Sequence, residues 1–257
     1  MNEKLPLSLV VITLNEESNI ERCLKSVPFA SDIVVLDSQS TDQTVSRAKD
    51  LGARTFVEAF RGYRAQKQRA TELAQFDWVL SLDADEALSP GLAEEIFALW
   101  KSGEIENLDG FEMPRLSYHL GRWIHHGGWY PDRQLRLFHR KKCQWVGGHV
   151  HERVSGTRVS RLGQPIHHWV FRDLADQVQT NNEYSTRGAD DLVSKGQGFS
   201  LARLVFKPWS KFAELYLWKR GFLDGLPGFV IAVGAAYSVF LKYAKLWEHQ
   251  AIKGKNT

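Results

Sequence analysis

Cysteine is scarce. Cys23 and Cys143 are the two thiols in 257 residues, and neither sits in a C-x-x-C or zinc-type spacing. That excludes a disulfide framework and fits a reducing compartment. Internal repeats and low-complexity tracts are missing too. With 43% apolar and 25% charged residues, the chain has the composition of a globular protein with room for a core. The N-terminus carries one short apolar run that meets acidic residues and lacks a small-residue cleavage site, so it reads as a mature cytoplasmic start. Long apolar runs are also lacking: after residue 200 the longest uncharged stretch is residues 225–241, 17 residues. At ~1.5 Å per residue this reaches ~25 Å against a ~30 Å hydrocarbon core. Pro227, Gly228 and Gly234 interrupt it. A transmembrane span is therefore not expected.

What is present is asymmetric. The net charge of +3 conceals 11 Lys/Arg against 19 Asp/Glu in residues 1–110, and 22 against 11 in residues 111–257. The second part also holds seven of the nine tryptophans, and eight of the nine histidines lie between His119 and His168. Basic and aromatic together point to anionic surfaces: membrane headgroups, phosphorylated glycans or nucleic acid. No nucleic-acid-binding module is recognisable, which disfavours the last.

Residues 7–13, 32–37, 54–59 and 78–83 are short runs rich in Val, Ile and Leu, as in strands buried on both faces. Amphipathic stretches of helical length separate them. Asn15 or Ser18 can cap a helix through Ile20 and Leu24, Ser40 or Asp42 one through Val45 and Ala48, and Ser89 with Pro90 can start a later one. Such alternation predicts an α/β fold with a mainly parallel sheet and ligands at the carboxyl ends of its strands. From about residue 109 the pattern changes to short strands and Gly-Gly or Pro-Asp turns, read as antiparallel additions at the sheet edge. Residues 172–195 read as helix, and 200–250 as two or three helices broken near Gly221, Gly225 and Pro227-Gly228.

Asp83 and Asp85 fall where the buried run WVLSLD ends, and Asp37 ends another such run. Two carboxylates one residue apart can face a divalent cation, and Mg²⁺ or Mn²⁺ prefers such hard oxygen ligands shared with substrate phosphates. The plain alternative makes Asp83, Asp85 and Glu86 turn and capping residues. In an open parallel sheet, the strand ends at residues 13, 37 and 83 can converge on one crevice.

VVITLNEESNIERCLKSV, VVLDSQSTDQT and WVLSLDADE, in that order and spacing over about residues 5–100, closely resemble the inverting family-2 nucleotide-sugar glycosyltransferases of GT-A fold. That fold is Rossmann-like, a mostly parallel sheet with antiparallel additions. The resemblance implies that Thr13, Leu14, Asn15 and Glu16 line a nucleobase pocket and that Asp37 contacts uracil or ribose. Here Asp37 is followed by Ser38 where many members have a second acid. Asp85 corresponds to the direct metal ligand, and Asp83 lies nearer the ribose, beside the metal. Lys67, in GYRAQKQRA, replaces the arginine of the family's Gly-x-x-x-Ala-Arg-Asn stretch and faces the donor.

An inverting transfer needs a carboxylate to deprotonate the acceptor hydroxyl. Glu152 is preferred, because GGHVHE occupies the place where relatives present their base, and Asp132 in WYPDRQLRLF stands second. Their bland readings are an ion pair of Glu152 with Arg153 or Arg158, and a Pro-Asp turn. Arg133 and Arg136 read either as phosphate grips or as solvated charges. His149-x-His151 and His167-His168 lack the further ligand spacing that zinc would need, while one of His167 or His168 can reach diphosphate or metal.

With the GFLDGLPGF…YAKLWE ending included, the whole chain resembles the lipopolysaccharide-core glucosyltransferases of Gram-negative bacteria. This implies a UDP-sugar donor, UDP-glucose, and a heptose acceptor on a lipid-linked anionic glycan, with the protein peripheral on the cytoplasmic face of the inner membrane. A GT-A catalytic domain is expected over residues 1–196, its nucleotide-sugar half 1–108 and its acceptor half 109–196. Residues 197–257 are expected as an amphipathic helical segment. There, aromatics at helical spacing alternate with lysines, as in an interfacial hairpin; packing on the catalytic domain or on a second subunit is the alternative. Two other classes compete. One is a non-catalytic glycan- or membrane-binding relative. The other is a sugar nucleotidyltransferase, which would want a Gly-rich basic loop where this chain has TLNEES.

Overall fold

The structure, a computed structural model, describes residues 3–147 and 152–253. Its first part alternates strand and helix: β1 (Leu5–Thr13), α1 (Ile20–Lys25), β2 (Ala30–Asp37), α2 (Thr44–Asp50), β3 (Arg54–Val57), α3 (Tyr63–Glu72), β4 (Trp78–Asp83), β5 (Glu86–Leu88) and α4 (Pro90–Lys101). Strands β3, β2, β1 and β4 lie side by side and parallel. Their apolar runs have no polar face because helices cover both sides, and Leu7, Leu9, Val11, Val35 and Leu80 are fully buried. Each such side chain contributes about 1.5–3 kcal/mol. Register aligns the strand ends, with Thr13 opposite Asp37 and Ile12 opposite Asp83.

Ser89 caps α4 as its sequence predicts: Oγ accepts the Leu92 amide at 3.1 Å and Pro90 opens the helix. No expected residue caps α1, and at α2 Asp42 stands one residue before the cap position, its Oδ1 accepting the Thr44 amide at 3.0 Å. α1 starts after Asn19 and α2 after Gln43, neither of which caps through its own side chain. Asn15, Ser40 and Asp42 cross-link the loops after β1 and β2. Asn15 Oδ1 accepts the Thr41 amide at 2.8 Å, Ser40 Oγ accepts the Asn15 amide at 2.8 Å, and Asp42 accepts the Glu17 amide at 3.1 Å.

After a 3₁₀ turn at Glu104–Asn107 come β6 (Gly110–His119), β7 (Arg122–Ile124), β8 (Asp132–His139), β9 (Gln144–Val146), β10 (Arg153–Ser155), β11 (Val159–Arg161) and β12 (Ile166–His168). β8 extends the sheet antiparallel to β4 and β6, β12 runs antiparallel to β5, and β9 and β10 form a separate ribbon. The result is a GT-A-like mixed sheet, parallel in its first half. Contacts divide the chain into two compact units, Met1–Leu116 with Asp132–His168, and Ser117–Pro131 with Trp169–Thr257. Residue 196, the expected end of the catalytic body, falls in the second unit.

That second unit holds α5 (Leu174–Ser194), α6 (Leu201–Ala213) and α7 (Gly225–Glu248), with a wide π-helical turn at Glu214–Trp218 and a 3₁₀ turn at Gly221–Asp224 between the last two. α7 runs through Pro227 because a proline in the first turn gives up an N–H that has no intrahelical partner. The break therefore lies before Gly225. The helical stretch Gly221–Ile252 is, by length and composition, long and apolar enough to cross a membrane, since α7 continues past Lys242 and Lys245. Gly228 permits the turn: a Cβ there would stand 1.9 Å from the Gly221 carbonyl oxygen. Gly228→Ala is accordingly expected to cost about 1–3 kcal/mol in thermal unfolding. Gly198→Ala, where a Cβ meets nothing within 4 Å, should cost far less.

Candidate active site

An alternating row of charges crosses the strand ends of the first unit. Arg136 on β8 donates from Nη2 to Asp83 Oδ2 at 2.6 Å and to Glu86 Oε1 at 2.8 Å. Lys67 on α3 lies 3.0 Å from Asp83 Oδ1 and 3.1 Å from Glu152 Oε1. Arg115 on β6 joins Glu86, at 3.1 Å, to Asp132, at 2.6 Å. The row reads Asp132, Arg115, Glu86, Arg136, Asp83, Lys67, Glu152.

Glu86 and Arg136 are buried, so neither charge is tolerable alone. Burial opposes ionisation of Asp83, but the charges of Arg136 and Lys67 beside it prevail and hold its carboxyl well below the usual carboxylate range. Burial likewise opposes the Arg136 charge, yet Asp83 and Glu86 raise its guanidinium above the ordinary value. Glu86 Oε2 also accepts the Asp83 amide at 3.0 Å, which closes the Asp-Ala-Asp turn from within. Beneath that turn lies the Cys23 thiol, 3.6 Å from the Asp83 carbonyl oxygen. Burial, then the charges of Glu86, Asp85 and Asp83, push it well above the usual thiol range, so it is an inert filler.

Lys67 is fixed from below. Its Nζ stands 5.2 Å from the centre of the Trp145 ring on β9, and Trp145 Nε1 donates to Thr71 Oγ1 on α3 at 3.2 Å. One lysine, seated on a locked aromatic, thus orients Asp83 and Glu152 together.

Pairing of β12 with β5 sets His168 opposite Glu86 and brings its Nε2 to 3.3 Å from Asp85 Oδ2. An oxygen and an imidazole donor at the rim suit Mg²⁺ or Mn²⁺ when phosphate and water complete the shell. Among the described residues, no group of three or more His, Cys, Asp or Glu could hold a metal, so this pair would supply two ligands and leave the others open. At the neighbouring strand ends, Thr13 Oγ1 is buried with no hydrogen-bond partner among the described residues. Asp37 accepts the Ser40 amide at 2.8 Å and its hydroxyl. Asn15 adopts a left-handed conformation, φ 55°, Glu16 accepts from Asn19 Nδ2 at 2.7 Å, and Leu14 is half exposed.

The structure therefore brings Asp83, Lys67, Glu152 and Asp132 into one network, sets Asp85 beside it, and places Thr13, Leu14, Asn15, Glu16 and Asp37 at the ends of β1 and β2. Two readings need correction. Arg136 is neither a phosphate grip nor a solvated charge, because it is wedged between two acids. Arg133, three residues away on β8, is exposed and reaches the Leu162 carbonyl oxygen at 3.4 Å. Glu152 pairs with Lys67 and not with Arg153 or Arg158; Arg158 is held by Asp109 at 3.0 Å. The central position of Glu86 and the part of Arg115 were missed. A lone arginine in the apolar strand LRLF was the available signal, since a buried charge demands partners. The histidine-rich stretch divides: His119, 2.9 Å from Gln177, and His126, 3.1 Å from Asp224, belong to the second unit. His149 and His151 lie outside the described residues.

Comparison with known proteins identifies the family. Residues 8–162 match the family described as glycosyl transferase family 2. The chain is 33% identical over 271 aligned residues to the lipopolysaccharide core biosynthesis glycosyltransferase LpsC of Rhizobium meliloti, covering 99% of this chain and 97% of that one. It is 32% identical to an uncharacterized glycosyltransferase of Rickettsia typhi, covering 97% and 89%. Among solved structures, glucosyl-3-phosphoglycerate synthase of Mycobacterium tuberculosis, in complex with Mn²⁺, UDP and glucosyl-3-phosphoglycerate, is 26% identical over 44% of each chain with a TM-score of 0.34. The chain belongs to glycosyl transferase family 2 and is a nucleotide-sugar-dependent glycosyltransferase.

Proposed function

We propose that the protein transfers a hexose, glucose from UDP-glucose, with inversion to a heptose of a lipopolysaccharide inner core. The acceptor is a lipid-linked anionic glycan, met at the cytoplasmic face of the inner membrane where the protein is peripheral. The observation that carries the reaction is the linkage of Glu152 through Lys67 to Asp83, with Asp85 and His168 at the same strand ends. The acceptor hydroxyl oxygen forms a bond to the anomeric carbon as the bond from that carbon to the diphosphate breaks. Glu152 takes the hydroxyl proton, and UDP leaves with the electron pair. Asp85 and His168 would hold Mg²⁺ or Mn²⁺, which when bound neutralises charge on the departing diphosphate. Thr13, Leu14, Asn15, Glu16 and Asp37 receive the nucleoside, with Asp83 toward the ribose. Asp132 is the second choice for the base, since Arg115 ties it to the far end of the row. The basic second half and the role named for the Rhizobium relative support the anionic acceptor.

The test is incubation with a panel of UDP-sugars and core-truncated lipopolysaccharides, with products weighed by mass spectrometry. A hexose added to heptose-terminated core is expected from UDP-glucose. Transfer from another donor, or to another lipid-linked glycan, would replace the assignment, and no transfer or donor hydrolysis would make the chain a binding relative. A companion measurement addresses the metal. UDP titrated calorimetrically should bind at least about tenfold more tightly with Mn²⁺ than without, and Asp85→Asn should erase that increment.

A further inference from the structure

The helices of the second unit carry two apolar stripes turned to solvent. On α7, Leu226, Phe229, Val233, Tyr237, Phe240 and Trp247 recur at helical spacing, each 41% to 73% exposed. On α6, Leu201, Val205 and Trp209 do the same at 65%, 46% and 71%. Between the stripes runs an apolar groove of about 470 Å³, lined by Trp209, Phe212, Phe229, Val233 and Phe240 among others.

The opposite face of α7 differs in kind. Ser238 Oγ donates to the Asn181 carbonyl oxygen at 3.2 Å, and Lys245 Nζ donates to the Asn182 carbonyl oxygen and to Ser185 Oγ, both at 2.8 Å. Those partners belong to α5, which also exposes Glu183, Arg187, Asp190 and Asp191. Moving α7 across a hydrocarbon core would either break these bonds or drag α5 and its charges in with it. α7 has the length of a span but only one face fit for lipid.

Charge selects the occupant. Residues 197–257 hold nine Lys/Arg against three Asp/Glu, and one of the three, Asp224, is buried and paired with Arg122. A second copy of this chain would bring the same positive charge to the face, whereas an anionic bilayer neutralises it. Arg203 and Lys207 on α6, and Arg220 in the turn between α6 and α7, are exposed, and their long stems let a charge reach phosphate from beside an apolar surface. We infer that the α6–α7 face is a monotopic docking surface for an anionic lipid bilayer, with its aromatic stripes at the acyl boundary and an acyl chain in the groove. This deepens the peripheral location proposed above and is independent of the reaction chemistry.

Full-length protein sedimented with phosphatidylcholine vesicles, with and without phosphatidylglycerol, tests it. Partition is expected to rise at least about tenfold on the anionic vesicles, because each basic side chain near the surface contributes about fivefold, and to fall with salt. Brominated acyl chains should quench tryptophan fluorescence of the wild type, a measurement that needs no variant. Trp209→Ser combined with Phe240→Ser should lower partition at least about tenfold with an unchanged melting temperature. Retention on the vesicles through alkaline carbonate washing would overturn the proposal in favour of a span. A dimer that those two substitutions dissolve, without vesicle binding, would assign the face to a second copy. UDP-sugar hydrolysis on the same samples separates the claims: binding without turnover sinks the reaction, and turnover without binding or quenching sinks the docking surface.

Discussion

Glu152→Gln is expected to lower kcat about 10³-fold while leaving UDP affinity within a few-fold of wild type, measured by product formation and by UDP titration. Glutamine keeps the volume of the side chain and an oxygen for Lys67, so the bridge to Asp83 stays filled, but it cannot take a proton at neutral pH. Loss of a positioned general base costs on the order of 10²–10⁴ in rate, and it falls on the chemical step because the group acts on the acceptor hydroxyl. Asp132→Asn serves as the comparison. Asp132 is held by Arg115 at 2.6 Å and by Gln134 Nε2 at 2.9 Å, so its amide variant keeps most of those contacts and should lose less than about tenfold. If the two variants exchange these outcomes, Asp132 is the base. If Glu152→Gln instead weakens UDP with kcat intact, Glu152 serves only to hold Lys67 in place.

Some of this site was open to reading from sequence because its signals are local. β1, β2 and β4 announce themselves as mostly apolar runs, and each hands its last polar residue, Thr13, Asp37 or Asp83, to a strand end. Ser89 followed by Pro90 marks a helix start by the same short-range logic. The rest depends on partners far away in the chain. Arg136 reaches Glu86 across 50 residues and Lys67 reaches Glu152 across 85, and no periodicity encodes such pairings. His168 owes its place beside Asp85 to pairing between two three-residue strands, each too short to be singled out among loops. Asn15 and Ser40 have the right chemistry for capping but find amides on the adjacent loop instead, whereas Asp42 accepts both the Glu17 amide and the Thr44 amide that opens α2.

Arg136→Met is expected to destabilise the protein by about 3–5 kcal/mol at pH 7, read from denaturant unfolding. Methionine replaces much of the apolar stem but leaves Asp83 and Glu86 close together without the cation between them. Lys67 and Arg115 still touch one acid each, which favours the lower end of the range. The pH dependence separates charge from packing. In the wild type the Asp83 carboxyl lies well below its ordinary value, so the stability it contributes is fully present above the unfolded value of ~3.9 and is lost as pH falls below it toward the folded one. In the variant that depression shrinks, and protonating Asp83 relieves the repulsion. The gap between wild type and variant should therefore keep its full size from neutrality down to ~4 and close as pH falls below that. A gap of equal size at both ends would mean that the guanidinium matters for its shape alone. Adding Glu86→Leu to Arg136→Met removes acid and cation together and should restore part of the lost stability, since a buried pair exchanged for apolar side chains is often close to neutral. Activity should not return with it, because the Asp83 amide has then lost the oxygen that accepts it, and the turn carrying Asp83 and Asp85 is no longer held in place.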